Sequence, residues 1–210
     1  MSGPNKFQLQ LIDSCKDNIK DNEINKYFDL QNQYREAIST RDSKIQEDFC
    51  RRFWSYYKLN HAFVGPKFKE KYFHFLLRND YPKVPDPYTY LLSTLYQYPR
   101  DKGDHVLQCS FVSKLVAFHD ESYPLYDNFI SRFFGVCIPS SGSKDFRIAG
   151  FVENILWIRK TYKDWLQDKG IIQIIQEVKK KHPRLSECSD MRILDFLIWN
   201  TGDVKKGAKK

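Results

Sequence analysis

A chain of 210 residues suffices for one substantial core or two small lobes sharing one, and at 41% hydrophobic and 16% aromatic it is not a disordered segment. Lys and Arg number 34 against 26 Asp and Glu, a formal net charge of +8 that favours a polyanionic partner, nucleic acid before membrane, without excluding an ordinary solvated basic face. The five cysteines (15, 50, 109, 137, 188) contain no C-x-x-C pair and the histidines (61, 74, 105, 119, 182) are scattered, which argues against a disulfide framework and leaves no visible zinc or iron–sulfur site.

No apolar run reaches membrane-spanning length, and "MSGPNKFQLQ" has no signal-peptide core. A cytoplasmic protein with no membrane partner is therefore expected. In chain order, "FQLQLIDSCKDNIKDNEINKYFDLQNQYREAI" gives one or two amphipathic helices. "RDSKIQEDFCRRFWSYYKLNHAF" follows with Ile45, Phe49, Phe53 and Tyr56 at helical spacing. "GPKFKEKYFHFLLRN" restarts a helix after Gly65, with Pro66 suited to its first turn.

The three-proline connector "DYPKVPDPY" marks the expected boundary between an N-terminal helical layer, about 1–80, and a central part. There "YTYLLSTLYQY" (88–98) predicts a helix and "PRDKGD" (99–104) a tight turn. "HVLQCSFVSKLVAFHD" (105–120) predicts a second helix with Val106, Phe111, Leu115 and Phe118 along one side. The turn "ESYPLYD" then precedes a short helix, "NFISRFFG", which Gly135 can close. The loop "IPSSGSKD" leads to the aromatic helix "FVENILWIRKTYKDWLQDKG". The last helices are "IIQIIQEVKKK" and "SDMRILDFLIWN", within a C-terminal part at about 145–203, and residues 204–210 read as a basic disordered tail. The pattern is all-α, with no strand pair.

Asp127 is the acid that heads the short helix. A carboxylate there is held by backbone N–H groups and favoured by the helix dipole. Such a group can stabilise the charge that develops on a sugar when an N-glycosidic bond breaks, and can position or deprotonate water. The same placement fits an aspartate that merely caps its helix.

The preceding turn offers Arg100, Lys102 and the backbone around Gly103, where N–H groups at the start of the second helix could grip a phosphate, although Asp101 and Asp104 offset part of the charge. In "RRFWSYYKLN" basic and aromatic residues interleave. Trp54, Tyr57 and Asn60, with Gln108, are candidates to line a pocket for a flipped base. At helical spacing Phe53, Trp54 and Tyr57 equally fit a core face.

Helix, basic hairpin, helix, then an aspartate-headed helix with Ile130 three residues on, Arg132 five on, then Phe133 and Gly135: over residues 99–136 this resembles the helix-hairpin-helix DNA glycosylase superfamily. The hairpin departs from the family in having one glycine, Gly103. Pro124 lies three residues before the aspartate instead of two, and Asn128 and Phe129 replace the family's Thr and His.

The resemblance implies a single globular domain over 1–203, a two-lobed helical bundle with the catalytic cleft between lobes. It implies Asp127 as the catalytic carboxylate, and Arg100, Lys102, Gly103, Lys114 and Arg132 as DNA contacts. The position resembling the nucleophilic lysine of bifunctional members falls near Gln108 or Cys109, so a monofunctional enzyme using water is implied. It would be a cofactor-free monomer acting on double-stranded DNA with a damaged or modified base, in repair or in defence against phage. The rival readings are a DNA-binding helical module without excision and a helical protein-interaction domain.

Overall fold

The computed structural model describes residues 3–62, 64–83, 86–100 and 102–207. Among the described residues it is all-helical, with an isolated antiparallel bridge between Val64 and Arg100 and no strand. Asp101, residues 84 and 85 of the proline connector, and residues 208–210 of the expected tail lie outside the described residues. The helices are α1 (Lys6–Cys15), α2 (Asp21–Thr40), α3 (Ser43–Tyr56), α4 (Pro66–Arg78), α5 (Pro87–Leu95), α6 (Cys109–His119), α7 (Asn128–Phe134), α8 (Lys144–Trp165), α9 (Lys169–Lys181) and α10 (Asp190–Gly207).

The chain divides into two compact units. One is Asn25–His119, and the other joins the segments before and after it. The proline connector is internal to the first unit, where α4 and α5 pack against each other. The division falls within α2 and just after α6.

In the Asn25–His119 unit, α6 is the buried element. Phe111, Val112, Leu115, Val116, Ala117 and Phe118 are all shielded from water. Rings from α3 and α4 close around it: Trp54 meets Phe111 edge-on at 5.2 Å, and Phe53 meets Phe118 in the same way at 5.2 Å. The buried Tyr72 hydroxyl donates to the Phe111 carbonyl at 2.9 Å, so that ring keeps its polar end satisfied. Much of the aromatic content is thereby spent on a core.

In the other unit, α10 is the buried element and packs against α1, α7, α8 and α9. Residues Met191 to Ile198 are buried in an unbroken run, the signature of a helix covered on all sides. α8 begins well before residue 151, because Ser143 caps it by accepting from the Phe146 N–H at 3.2 Å. Gly150 is tolerated inside α8 by necessity, since a Cβ there would lie 2.7 Å from Cδ of Pro139. α10 continues through Gly207, so 204–207 extend the helix where a disordered tail was expected.

The ring of His119 lies among those of Tyr34, Tyr81 and Phe118, at centroid distances of 5.3, 6.2 and 5.7 Å. Burial, with a contribution from the charge of Lys83, pushes its pKa down from 6.5 to about 4. Below pH 6.5 the unfolded chain therefore takes up a proton that the folded chain refuses until about pH 4. Stability of this unit should be fully present above that window and fall as pH drops through it. Amide hydrogen exchange in α6, corrected for intrinsic rates, should show the loss, and His119→Gln should flatten it.

Candidate functional site

Asp127 caps α7 as its sequence position predicts. Its Oδ1 accepts from the N–H groups of Phe129 at 2.8 Å and Ile130 at 3.0 Å, and Gly135 closes the helix in the left-handed region at φ 66°. Capping alone does not set it apart. Asp42, Asp86 and Asp168 cap α3, α5 and α9 through the same pair of N–H bonds to one carboxylate oxygen.

What sets it apart is the company it keeps. Behind Asp127 lies a buried polar network that the sequence analysis did not single out, centred on Asp195 of α10. Asp195 and Arg192 are 0% and 1% exposed at their side chains and pair at 2.7 Å. Tyr162 of α8, also buried, donates its hydroxyl to Asp195 Oδ1 at 3.1 Å. The Leu125 N–H, two residues before Asp127, reaches both carboxylate oxygens at 3.3 and 3.2 Å.

Burial pushes the Asp195 pKa up to about 6; the Arg192 guanidinium and the Leu125 and Tyr162 donors oppose the rise, and the Asp127 charge adds to it. Burial also pushes the Tyr162 phenol well above its ordinary range, helped by Asp195 and Asp127. The charge of Asp127 is thus felt by both groups.

The segment 121–127 is fastened along its whole length. Glu121 accepts from the Ser189 N–H at 2.7 Å, and Arg159 donates to the Ser122 carbonyl and hydroxyl, each at 2.7 Å. The same guanidinium lies 3.7 Å from the centre of the Tyr123 ring. Pro124 is buried, and Tyr126 packs edge-on against Phe151 at 5.2 Å. A half-buried carboxylate is thereby presented on a turn whose neighbours fix its position, while its Oδ2 accepts no hydrogen bond from the described residues.

Of the other residues singled out from sequence, Arg132 lies exposed in the last turn of α7, in the same unit as Asp127. The remainder belong to the Asn25–His119 unit. Arg100 is ion-paired to Asp104, with Nε 3.0 Å from Oδ1. The N–H groups of Arg100 and Gly103 are spent inside the turn, on the Asp104 and Arg100 carbonyls, each at 2.8 Å.

The turn also does not run straight into a helix. Residues 105–108 are non-helical and α6 starts at Cys109, which corrects the expected helix over 105–120. Its first turn bonds to the Gln108 carbonyl, and the Gln108 side chain is half-buried. Lys102 is exposed, and Lys114 donates to the Ser110 hydroxyl at 2.8 Å.

Two of the four expected pocket residues lie in the core. Trp54 and Tyr57 are 6% and 7% exposed and belong to the aromatic core, Trp54 against Phe73 and Phe111, Tyr57 against Phe53 at 4.7 Å. The core reading of their helical spacing is the one the fold uses, because the stripe Phe49, Phe53, Tyr57 and its neighbours Cys50 and Trp54 face inward. Asn60 is exposed in the 3-10 turn Leu59–Ala62. A surface groove of about 360 Å³ lies elsewhere, lined among others by Gln33, Lys44, Asp48 and Arg52, and carries none of the sequence-derived site residues.

No group of His, Cys, Asp and Glu among the described residues has the arrangement of a metal site, and no described helix is long and apolar enough to cross a membrane. The cysteines at 15, 50, 109 and 188 are buried thiols, and burial pushes Cys50 and Cys188 up to about 12. The network could have been noticed in "MRILDFLIWN", where Arg192 and Asp195 sit one helical turn apart in an otherwise apolar run. Two opposite charges on a helix that must be buried can only be there as a pair.

No family model, no curated protein and no solved structure matches the chain. The resemblance to helix-hairpin-helix glycosylases therefore rests on the chain's own residues 99–136.

Two stability predictions separate the cap from the network. Asp127→Ala should destabilise by about 1 kcal/mol through loss of the cap, and Asp127→Asn, which keeps an acceptor oxygen, by less. Asp195→Ala should cost about 3–5 kcal/mol because it strands the buried Arg192 charge. Urea unfolding monitored by hydrogen exchange in α8 and α10 measures both.

Proposed function

We propose that the protein is a monofunctional DNA glycosylase that hydrolyses the N-glycosidic bond of a damaged or modified base in double-stranded DNA, with Asp127 as its catalytic carboxylate. The observation that carries this reading is the presentation of Asp127. One carboxylate oxygen is fixed by the two N–H groups at the head of α7, and the turn that carries it is tied to the buried Asp195 network through the Leu125 N–H, which holds the other oxygen in place for a water or a sugar.

In the reaction the bond between C1′ and the base nitrogen breaks and its electron pair leaves with the base. Positive charge grows on the sugar beside the Asp127 carboxylate. A water oxygen bonds to C1′ and Asp127 takes the proton that the water loses; that proton then passes through solvent to the departed base, which restores the carboxylate and leaves the free base and an abasic site as products.

The net charge of +8 supports attraction to DNA, with Arg132 on the same helix as Asp127 and Lys102 exposed on the other unit's turn. Arg100, Gly103 and Lys114 have local partners within their own turn or helix and are weaker candidates for phosphate contacts.

Incubation with duplex DNA carrying varied normal, damaged and phage-type modified bases, followed by alkali, should reveal strand breaks at abasic sites. Asp127→Asn should reduce release by about 10²–10⁴-fold while folding and DNA binding persist. Borohydride should trap no covalent adduct. Equal release by wild type and variant would remove Asp127 from the chemistry. Salt-dependent DNA binding without release would point to the DNA-binding module, and the absence of both to a protein-interaction domain.

A further inference from the structure

The strongest feature that the proposed chemistry leaves unused is the Asp195 network. It is completely enclosed, so no substrate reaches it, yet it reaches the turn that carries Asp127 at the Leu125 N–H. The other fastenings of that turn act at its start, through Ser189 and Arg159, or on the Tyr126 ring. Leu125 lies two residues before Asp127, and its N–H is held by the buried Asp195 carboxylate.

The geometry assigns Asp195 as the positioning residue for Asp127: as a carboxylate it grips the Leu125 N–H and holds the turn, and when it takes a proton that grip weakens and the site loses its alignment. This inference rests on the reading of Asp127 as the catalytic carboxylate. Four groups face Asp195: Arg192 from its own helix, Tyr162 from α8, the Leu125 N–H from the turn, and Asp127 from the head of α7. The first three are donors that favour the ionised form, whereas burial and the Asp127 charge oppose it. The balance leaves Asp195 changing charge near pH 6, where ordinary carboxyl groups are fully ionised.

The expected consequence is a base-release rate that is full above about pH 6 and falls as pH drops through it. The loss should appear in kcat, with KM nearly constant, because substrate does not touch Asp195. Asp195→Asn should abolish this acid limb and lower kcat by about 100-fold at higher pH, the scale of effect a misplaced catalytic group produces.

Two readouts test this on the full chain. The first follows the Leu125 amide by NMR shift and hydrogen exchange, from about two pH units below that value to about two above it. A transition near pH 6 is expected, and Asp195→Asn should remove it. The second is the pH profile of kcat for base release on duplex DNA.

Should Asp195→Asn not fold, Tyr162→Phe serves instead. It deletes one donor to the Asp195 carboxylate, so the midpoint should move to higher pH in both readouts. If the Leu125 amide titrates as described but the wild type releases no base at any pH, the glycosylase reading fails and the grip of Asp195 on the turn stands. If the Leu125 amide is flat across the range, or Tyr162→Phe leaves its midpoint unmoved, the positioning role is overturned whatever the activity.

Discussion

A carboxylate cut off from water survives only if the protein supplies the hydrogen bonds that water would have given, and Asp195 obtains them from three directions. Arg192 comes from one turn earlier on α10, Tyr162 from α8, and the Leu125 N–H from the chain just before α7. Each donor fixes an element. α8 is set in rotation about its axis by the need to aim Tyr162 inward, and the 121–127 segment is set in height by the need to aim Leu125. An apolar contact would tolerate sliding by a fraction of a side chain, whereas these bonds tolerate little. The polar knot at the centre of this unit specifies its arrangement more tightly than the surrounding Ile and Leu can.

The Asn25–His119 unit reaches the same end by other means. Its centre is a set of rings packed edge to face around α6, at distances of 5 to 6 Å, with the Tyr72 hydroxyl bonded to the Phe111 carbonyl inside it. Both units bury a helix on all sides, one among aromatics and one around a charge pair. The first arrangement takes up many of the chain's aromatic residues, and this is why Trp54 and Tyr57 are found inside.

How far the sequence could be read follows from these two centres. Helical spacing identified the helices and the all-α class, because amphipathic stripes and Pro or Gly punctuation are local signals. The Asp127 cap and the Gly135 stop were legible for the same reason, since both are settled within eight residues. Three things were not legible. The split into units depends on partners far apart in the chain and cuts through α2, where no composition shift marks it. The start of α6 depends on the Arg100–Asp104 pair turning the chain back before helix can begin. The Asp195 network depends on three segments converging, and only the Arg192 and Asp195 spacing within "MRILDFLIWN" hints at it.

The order in which the units' parts occur along the chain has a consequence for synthesis. Asn25–His119 is continuous, so it can complete its core as soon as α6 has emerged. The other unit cannot. α1 is made before the Asn25–His119 unit, yet it packs on α9 and α10, and Lys16, already beside Asp13, waits for Glu177, 161 residues downstream, to form its second ion pair. During that interval the apolar face of α1, with Ile12 and Cys15 destined for burial, stands uncovered while an entire neighbouring unit folds. α1 is thus exposed to wrong partners for as long as the intervening unit takes to emerge, and its burial waits for α9 and α10.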